Sequence, residues 1–270
     1  MKERKFLWWH ELPAPEVLRW AREECDVALL PLGSVEQHGA HSPCGVDTLN
    51  ASRMAELIAR KSGVMLLSSP MYGSHPYHHW HMPGTIPLSY ETHIALLVDI
   101  VRGAAEAGYN KFLLLSAHGQ VSTTLVAVHK LGLEGHFTLS LHWYDFLRDN
   151  REVLDDYMWH ADEAETSVGL YLYPEYIDMS KAEAGGGQAL IDRKFIIAPG
   201  MTPRPGMMYH FEGTFARPEY KELKNGVIGD PTRATRQKGE ILVTRVVDYV
   251  CDLVNDIMQR YPVGVKPPVK

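Results

Sequence analysis

Short apolar runs alternate with longer amphipathic stretches through the first two-thirds of this chain, and that alternation limits the fold more than any other feature. The runs stand at 27–33, 64–69, 111–116 and 137–143. Between them, stretches at 47–62, 90–108 and 122–133 repeat apolar residues at helical spacing. Leu49, Met54, Leu57 and Ile58 mark the first, and Ile94, Leu97, Val98 and Val101 the second. Two more helices are predicted over 161–172 and 235–261. Short strands that are apolar throughout need cover on both faces, and the intervening helices supply it. The pattern predicts an α/β fold around a parallel sheet. From 184 to 233 it breaks down, with turns marked by Gly185-Gly186-Gly187, Pro203-Arg204-Pro205-Gly206 and Asn225-Gly226. The 270 residues are read as a single domain, 1–270, in which 184–233 is an irregular excursion covering the site or a subunit interface.

Composition removes several function classes. The formal net charge is −6 and the basic residues are scattered, so no nucleic-acid partner is expected. No apolar stretch approaches the ~20 residues of a membrane helix, so no membrane partner is expected either. The three cysteines, Cys25, Cys44 and Cys251, form no CxxC pair. A disulfide framework is therefore not expected, and a cytoplasmic location is. Any metal would be held by oxygen and nitrogen.

Those donors cluster where the apolar runs end. Glu36 and His38 follow the first run two residues apart, so in extended backbone they share a face. Asp47 follows where the next helix begins. His118 follows the third run. His75, His78, His79 and His81 follow the second, four histidines within seven residues, and they cannot all be ligands. In parallel sheets ligands bind beyond the carboxyl ends of the strands. The stretch from His160 to Ser167 adds Asp162, Glu163 and Glu165 at a helix start. Glu163 reads as a solvated carboxylate favoured by the helix dipole. His160, whose ordinary pKa lies near 6.5, is the candidate proton shuttle. Trp80, Trp143 and Trp159 read either as pocket walls or as core. Gly185 to Gly187 lack the Lys-Ser/Thr that a phosphate loop needs.

Taken together, Gly33-Ser34-x-Glu36-x-His38-Gly39 with Asp47-Thr48, the strand followed by Ala117-His118-Gly119, Met82-Pro83-Gly84-Thr85, His160-Ala161-x-x-x-Glu165-Thr166-Ser167 and Gly226-x-x-Gly229-Asp230-Pro231 resemble the creatininase (creatinine amidohydrolase) family. The resemblance implies a three-layer α/β/α sandwich with a mostly parallel central sheet, assembled as a homohexamer. It implies two divalent ions per chain, zinc and/or manganese, held by Glu36, His38, His118 and a bridging Asp47. Creatininase proper has a Glu where this chain has Gln120, so the last ligand is expected to be Glu165, with Gln120 left to read the substrate. His79 stands where the family has a histidine ahead of its Pro-Gly-Thr turn, and is expected to line the pocket. The implied activity is a metal-dependent hydrolase that opens a small cyclic substrate by hydroxide attack on a carbonyl. A cyclic amide is the first expectation. A carbocyclic diketone derived from inositol, opened by carbon–carbon cleavage, is the alternative, as is a non-catalytic metal-binding protein.

Overall fold

The computed structural model describes residues 6–75, 79–80, 82–147, 152–156, 158–187 and 225–269. Among these residues four strands, β1 (Val27–Leu32), β2 (Met65–Leu66), β3 (Lys111–Ser116) and β4 (Phe137–His142), form a sheet of order β2-β1-β3-β4. All its pairings are parallel, with Val27 opposite Lys111 and Lys111 opposite Phe137. Among the described residues six helices surround it: α1 (Ala14–Glu23), α2 (Val46–Ser62), α3 (Tyr90–Glu106), α4 (Val121–Leu133), α5 (Glu163–Leu172) and α6 (Arg236–Arg260).

The three layers follow from side-chain alternation along the strands. Ala28, Leu30 and Leu32 of β1, with Phe112 and Leu114 of β3, pack against Val17 and Ala21 of α1, Leu97 and Val101 of α3, and Ala127 and Leu131 of α4. Val27 and Leu29, with Leu113 and Leu115, face the other way. They meet Ala51, Met54 and Ile58 of α2, Ala164 and Val168 of α5, and Leu242, Val246 and Val250 of α6. The expected α/β/α sandwich is the observed fold.

Three departures have local causes. Helix α1, absent from the sequence expectation, begins after Pro13 and buries Val17 and Ala21; Ala14, Val17, Leu18 and Ala21 stand at helical spacing, but the helix is only 10 residues long. The run at 64–69 pairs only through Met65 and Leu66. Leu29 O accepts from Leu67 N at 2.9 Å, so the backbone polar groups of residue 31 point to the same side, where β2 has ended. Pro31, which has no N–H, therefore loses no ladder bond inside a central strand. Helix α5 starts at Glu163 because Ala161 has φ 51°, the one non-glycine positive φ among the described residues. Residues 188–224 of the irregular excursion lie outside the described residues, as do His78 and His81.

Candidate metal centre

The loop leaving β1 carries the first donors and ties every other motif to itself. Gly33 is required at the strand end, since a Cβ there would lie 2.3 Å from Thr48 Cα. That close approach sets the loop against the first turn of α2, and Ser34 Oγ donates to Asp47 Oδ2 at 2.6 Å. Gln37 N donates to Thr85 Oγ1 at 3.2 Å and Ile86 N to Val35 O at 3.0 Å, which anchors the Pro83-Gly84-Thr85 turn. Gln37 Nε2 donates to Gly226 O at 2.7 Å, and His160 pairs with Ile228 through two backbone bonds. Segments far apart in sequence thus meet at residues 34–38.

Three imidazoles each give one ring nitrogen to a backbone carbonyl. His38 Nδ1 donates to Glu36 O at 3.0 Å, His118 Nε2 to Ser74 O at 2.8 Å, and His160 Nε2 to Gln37 O at 2.9 Å. A carbonyl can only accept, so the second nitrogen of each neutral ring carries a lone pair. Those nitrogens point at carboxylates. His118 Nδ1 lies 3.1 Å from both Glu36 Oε2 and Asp47 Oδ2. His38 Nε2 lies 3.4 Å from Asp47 Oδ1 and 3.5 Å from Glu165 Oε2. His160 Nδ1 lies 3.8 Å from Glu36 Oε2. Lone pairs facing lone pairs repel unless a proton or a cation lies between them.

The donor set fits a divalent ion. Ligand bonds of ~2.0–2.2 Å in a tetrahedral site put donor atoms ~3.3–3.6 Å apart, and the separations here are 3.1–3.5 Å. Three groups bring their donor atoms within 4.8 Å of one another: Glu36 with His75 and His118, Glu36 with His38 and His160, and His38 with Asp47 and Glu165. All seven side chains are buried. His38 Nε2 and Glu36 Oε2 have no hydrogen-bond partner among the described residues.

Electrostatics without an ion show the same demand for positive charge. Burial opposes a charged His38, but Asp47, Glu165 and Glu36 outweigh it and lift its pKa to about 10. Burial also opposes ionisation of Glu36, yet His79, His118 and His160 hold its carboxyl well below the usual range. Asp47 is lowered in the same way by His38 and His118. Glu165 goes the other way: burial, with Asp47 and Asp162 nearby, raises it well above the usual range despite His38. Burial, then His38 and His79, push His160 well below its ordinary value.

The α5 entrance supplies Glu165 and His160 together. Asp162 caps the helix, its Oδ1 accepting from Ala164 N at 2.9 Å and Glu165 N at 3.2 Å. Glu165 Oε2 accepts from Ala161 N at 2.6 Å, holding in place the left-handed residue that separates His160 from the cap. Glu163 is not the solvated carboxylate expected. It is 4% exposed, accepts from Asp155 N and is hydrogen-bonded to Lys238 on α6. Residues 163 and 165 are about 200° apart around a helix, so only one of them can face the cluster.

The other expected residues divide. His79 Nδ1 is hydrogen-bonded to Glu36 Oε1, and its ring lies 4.3 Å from that of His160. Gln120 is buried but turns to the strand ends, with Nε2 3.4 Å from Gly33 O and 3.3 Å from Ser116 Oγ. Trp143 is fully buried core, while Trp80 is 37% exposed. Sequence reasoning named Ser34 in a motif without giving it a role, left Gln37 as an unspecified position, and did not separate His75 from its neighbours.

The model for the family described as creatinine amidohydrolase matches residues 10–254. Among curated relatives, the chain is 34% identical over 263 residues to a 3-dehydro-scyllo-inosose hydrolase of Thermotoga maritima, covering 94% of this chain and 84% of that one. It is 26% identical to a creatinine amidohydrolase of Pseudomonas putida, covering 93% and 95%. A solved structure described as manganese creatininase shares the fold at TM-score 0.76 and 22% identity, covering 96% of this chain and all of the other. With the family model spanning nearly the whole chain and a relative so similar along its length, this protein belongs to the creatininase family of hydrolases.

Proposed function

We propose that this chain is a hydrolase with two divalent ions, zinc and/or manganese, that opens a hydroxyl-rich carbocyclic ketone of the kind named for its Thermotoga relative. The observation that carries the metal reading is the division of Asp47 between two imidazoles, Oδ1 toward His38 and Oδ2 toward His118. On this reading Asp47 would be shared by both ions, Glu36 and His118 would hold one, and His38 and Glu165 the other. Bound ions would supply Lewis acidity and an activated water.

The remaining work falls to protein groups. His160 keeps Nε2–H on Gln37 O, which leaves Nδ1 as the position that takes and returns a proton at the bond being broken. When a ring carbon leaves with its electron pair, that proton completes it. His79 packs beside His160 and lines the site. Gln120 Oε1 has no hydrogen-bond partner among the described residues and is the acceptor offered to a substrate hydroxyl. Two points favour the carbocyclic ketone over the cyclic amide: identity of 34% against 26%, and a neutral Gln120 where creatininase proper has a carboxylate. The test assays purified manganese- or zinc-loaded protein on both 3-dehydro-scyllo-inosose and creatinine, with and without a chelator. Chelator-sensitive turnover of the inosose supports the reading, turnover of creatinine alone replaces it with the cyclic-amide reading, and turnover indifferent to chelation overturns the metal reading.

The chain is further proposed to be one domain over 1–270, cytoplasmic, and a homohexamer. Among the described residues no helix is long and apolar enough to cross a membrane. Light scattering at micromolar concentration should read six times the 30.5 kDa of the chain, and a monomer mass would refute the hexamer.

A further inference from the structure

We propose that His75 is an additional metal ligand of this centre, on the Glu36–His118 side. His75 is absent from the ligand set that the family resemblance implies, and the proposal rests on the two-ion reading above.

The His75 ring is 1% exposed, and neither of its nitrogens has a hydrogen-bond partner among the described residues. A buried polar atom left unpaired is costly, so a ring with two such atoms needs a partner that side chains do not provide. Its Nδ1 is 3.3 Å from Glu36 Oε1, outside hydrogen-bond geometry but at the donor–donor spacing of the rest of the centre. The donor atoms of Glu36, His75 and His118 lie within 4.8 Å of one another, and the His75 and His118 rings are 4.6 Å apart.

The backbone at His75 is built to hold the ring there. His75 O accepts from Trp80 Nε1 at 2.9 Å and from Tyr90 OH at 3.5 Å. The preceding Ser74 gives its carbonyl to His118 Nε2 at 2.8 Å. Ser74 Oγ is 2.9 Å from Thr123 Oγ1, which is 2.8 Å from His93 Nδ1. Gly73 O accepts from Leu88 N at 2.9 Å. Helices α3 and α4 thus brace the segment that delivers His75 and orients His118 together, the preorganisation a ligand needs.

The consequence is an unequal pair of sites. The Glu36 side gains a second imidazole, while the His38 side keeps one imidazole and Glu165. Nitrogen enrichment favours zinc over manganese on the Glu36 side.

The experiment titrates chelated full-length protein with cobalt(II), following visible absorption, with metal content counted after gel filtration. Wild type, His75→Gln and His75→Ala are compared, with folding checked by circular dichroism. The expected result is two cobalt ions in wild type. Each variant should lose more than ~100-fold in affinity for one of them, beyond the ~10–100-fold that an outer-shell partner carries, with an altered ligand-field band for that ion. Zinc competition against manganese should weaken at the same site. Two ions bound by a folded variant with wild-type affinities and spectrum overturn the His75 assignment alone. Wild-type protein that binds fewer than two ions overturns the two-ion reading on which it stands.

Discussion

A carboxylate whose two oxygens face two different imidazoles makes Asp47 the residue whose loss should matter most. On the two-ion reading proposed above, Asp47→Ala should release both ions together, measured by elemental analysis after dialysis. Glu165→Gln removes one donor from the His38 side, so it should lower occupancy at one site and nearly abolish turnover. Full metal content with near-normal rate in that variant would place the last ligand elsewhere. His160→Ala should keep both ions yet slow turnover by ~10²–10⁴-fold, the range for a positioned acid–base group. Metal counts beside steady-state kinetics separate a ligand from a proton carrier at each of these positions.

At the scale of elements, two contacts hold the layers in register. Helices α5 and α6 cross at Gly239, where a Cβ would lie 1.9 Å from Ser167 O. Gly239→Ala must push the helices apart, and overpacking of this kind costs about 1–3 kcal/mol. A fall in thermal midpoint with ligand residues untouched is the expected readout. At the N-terminal ends of the strands, Lys111 at the start of β3 reaches Asp26 Oδ1 at 2.6 Å, and both are 0% exposed. Asp26 Oδ2 also accepts from Gly264 N at 2.9 Å, tying the chain after α6 to the strand ends. Lys111→Met strands a buried carboxylate and should destabilise by about 3–5 kcal/mol, while the double change Lys111→Met/Asp26→Asn should recover part of it. Urea midpoints test both.

The whole molecule should respond to metal and to acid. Ions that bind the folded chain and not the unfolded one stabilise it by mass action, about 2.7 kcal/mol at a hundredfold excess over Kd. Chelation should therefore lower the thermal midpoint, and restoring manganese or zinc should return it. Acid acts through buried histidines as well. Burial lowers His41, His93 and His142 from 6.5 to about 4. Between those values the unfolded chain binds more protons at these three rings than the folded one, so their contribution to stability is complete above pH ~6.5 and declines as the pH falls toward ~4. Urea midpoints of chelated protein read this contribution beside the opposite one of Asp162 and Glu165, whose raised carboxyls take up protons on folding in the same range. His142→Gln, at the end of β4 and outside the metal cluster, should flatten part of the slope.

The order of strands and helices was legible because it is a local property. Each run carries its own period, and a parallel sheet needs cover on both faces whatever the neighbours are. The positions of Glu36, His38, Asp47 and His118 were legible for a related reason, since the end of a strand is a place readable from sequence. Which atoms meet was not local. Glu163 and Glu165 are both first-turn carboxylates of α5, and only the Asp162 cap and the packing of α6 send one to Lys238 and the other to His38. Among the histidines after β2, His75 and His79 converge on Glu36 through bonds from α3, α4 and Trp80 that no periodicity encodes. Strand β2 pairs only through Met65 and Leu66, one residue short of the end of its apolar run, opposite the position where Pro31 offers no N–H. Sequence by itself determined the layers and the chemistry available at their edge. Tertiary closure decided which nitrogen faces which carboxylate, because that depends on where separate loops are tied down.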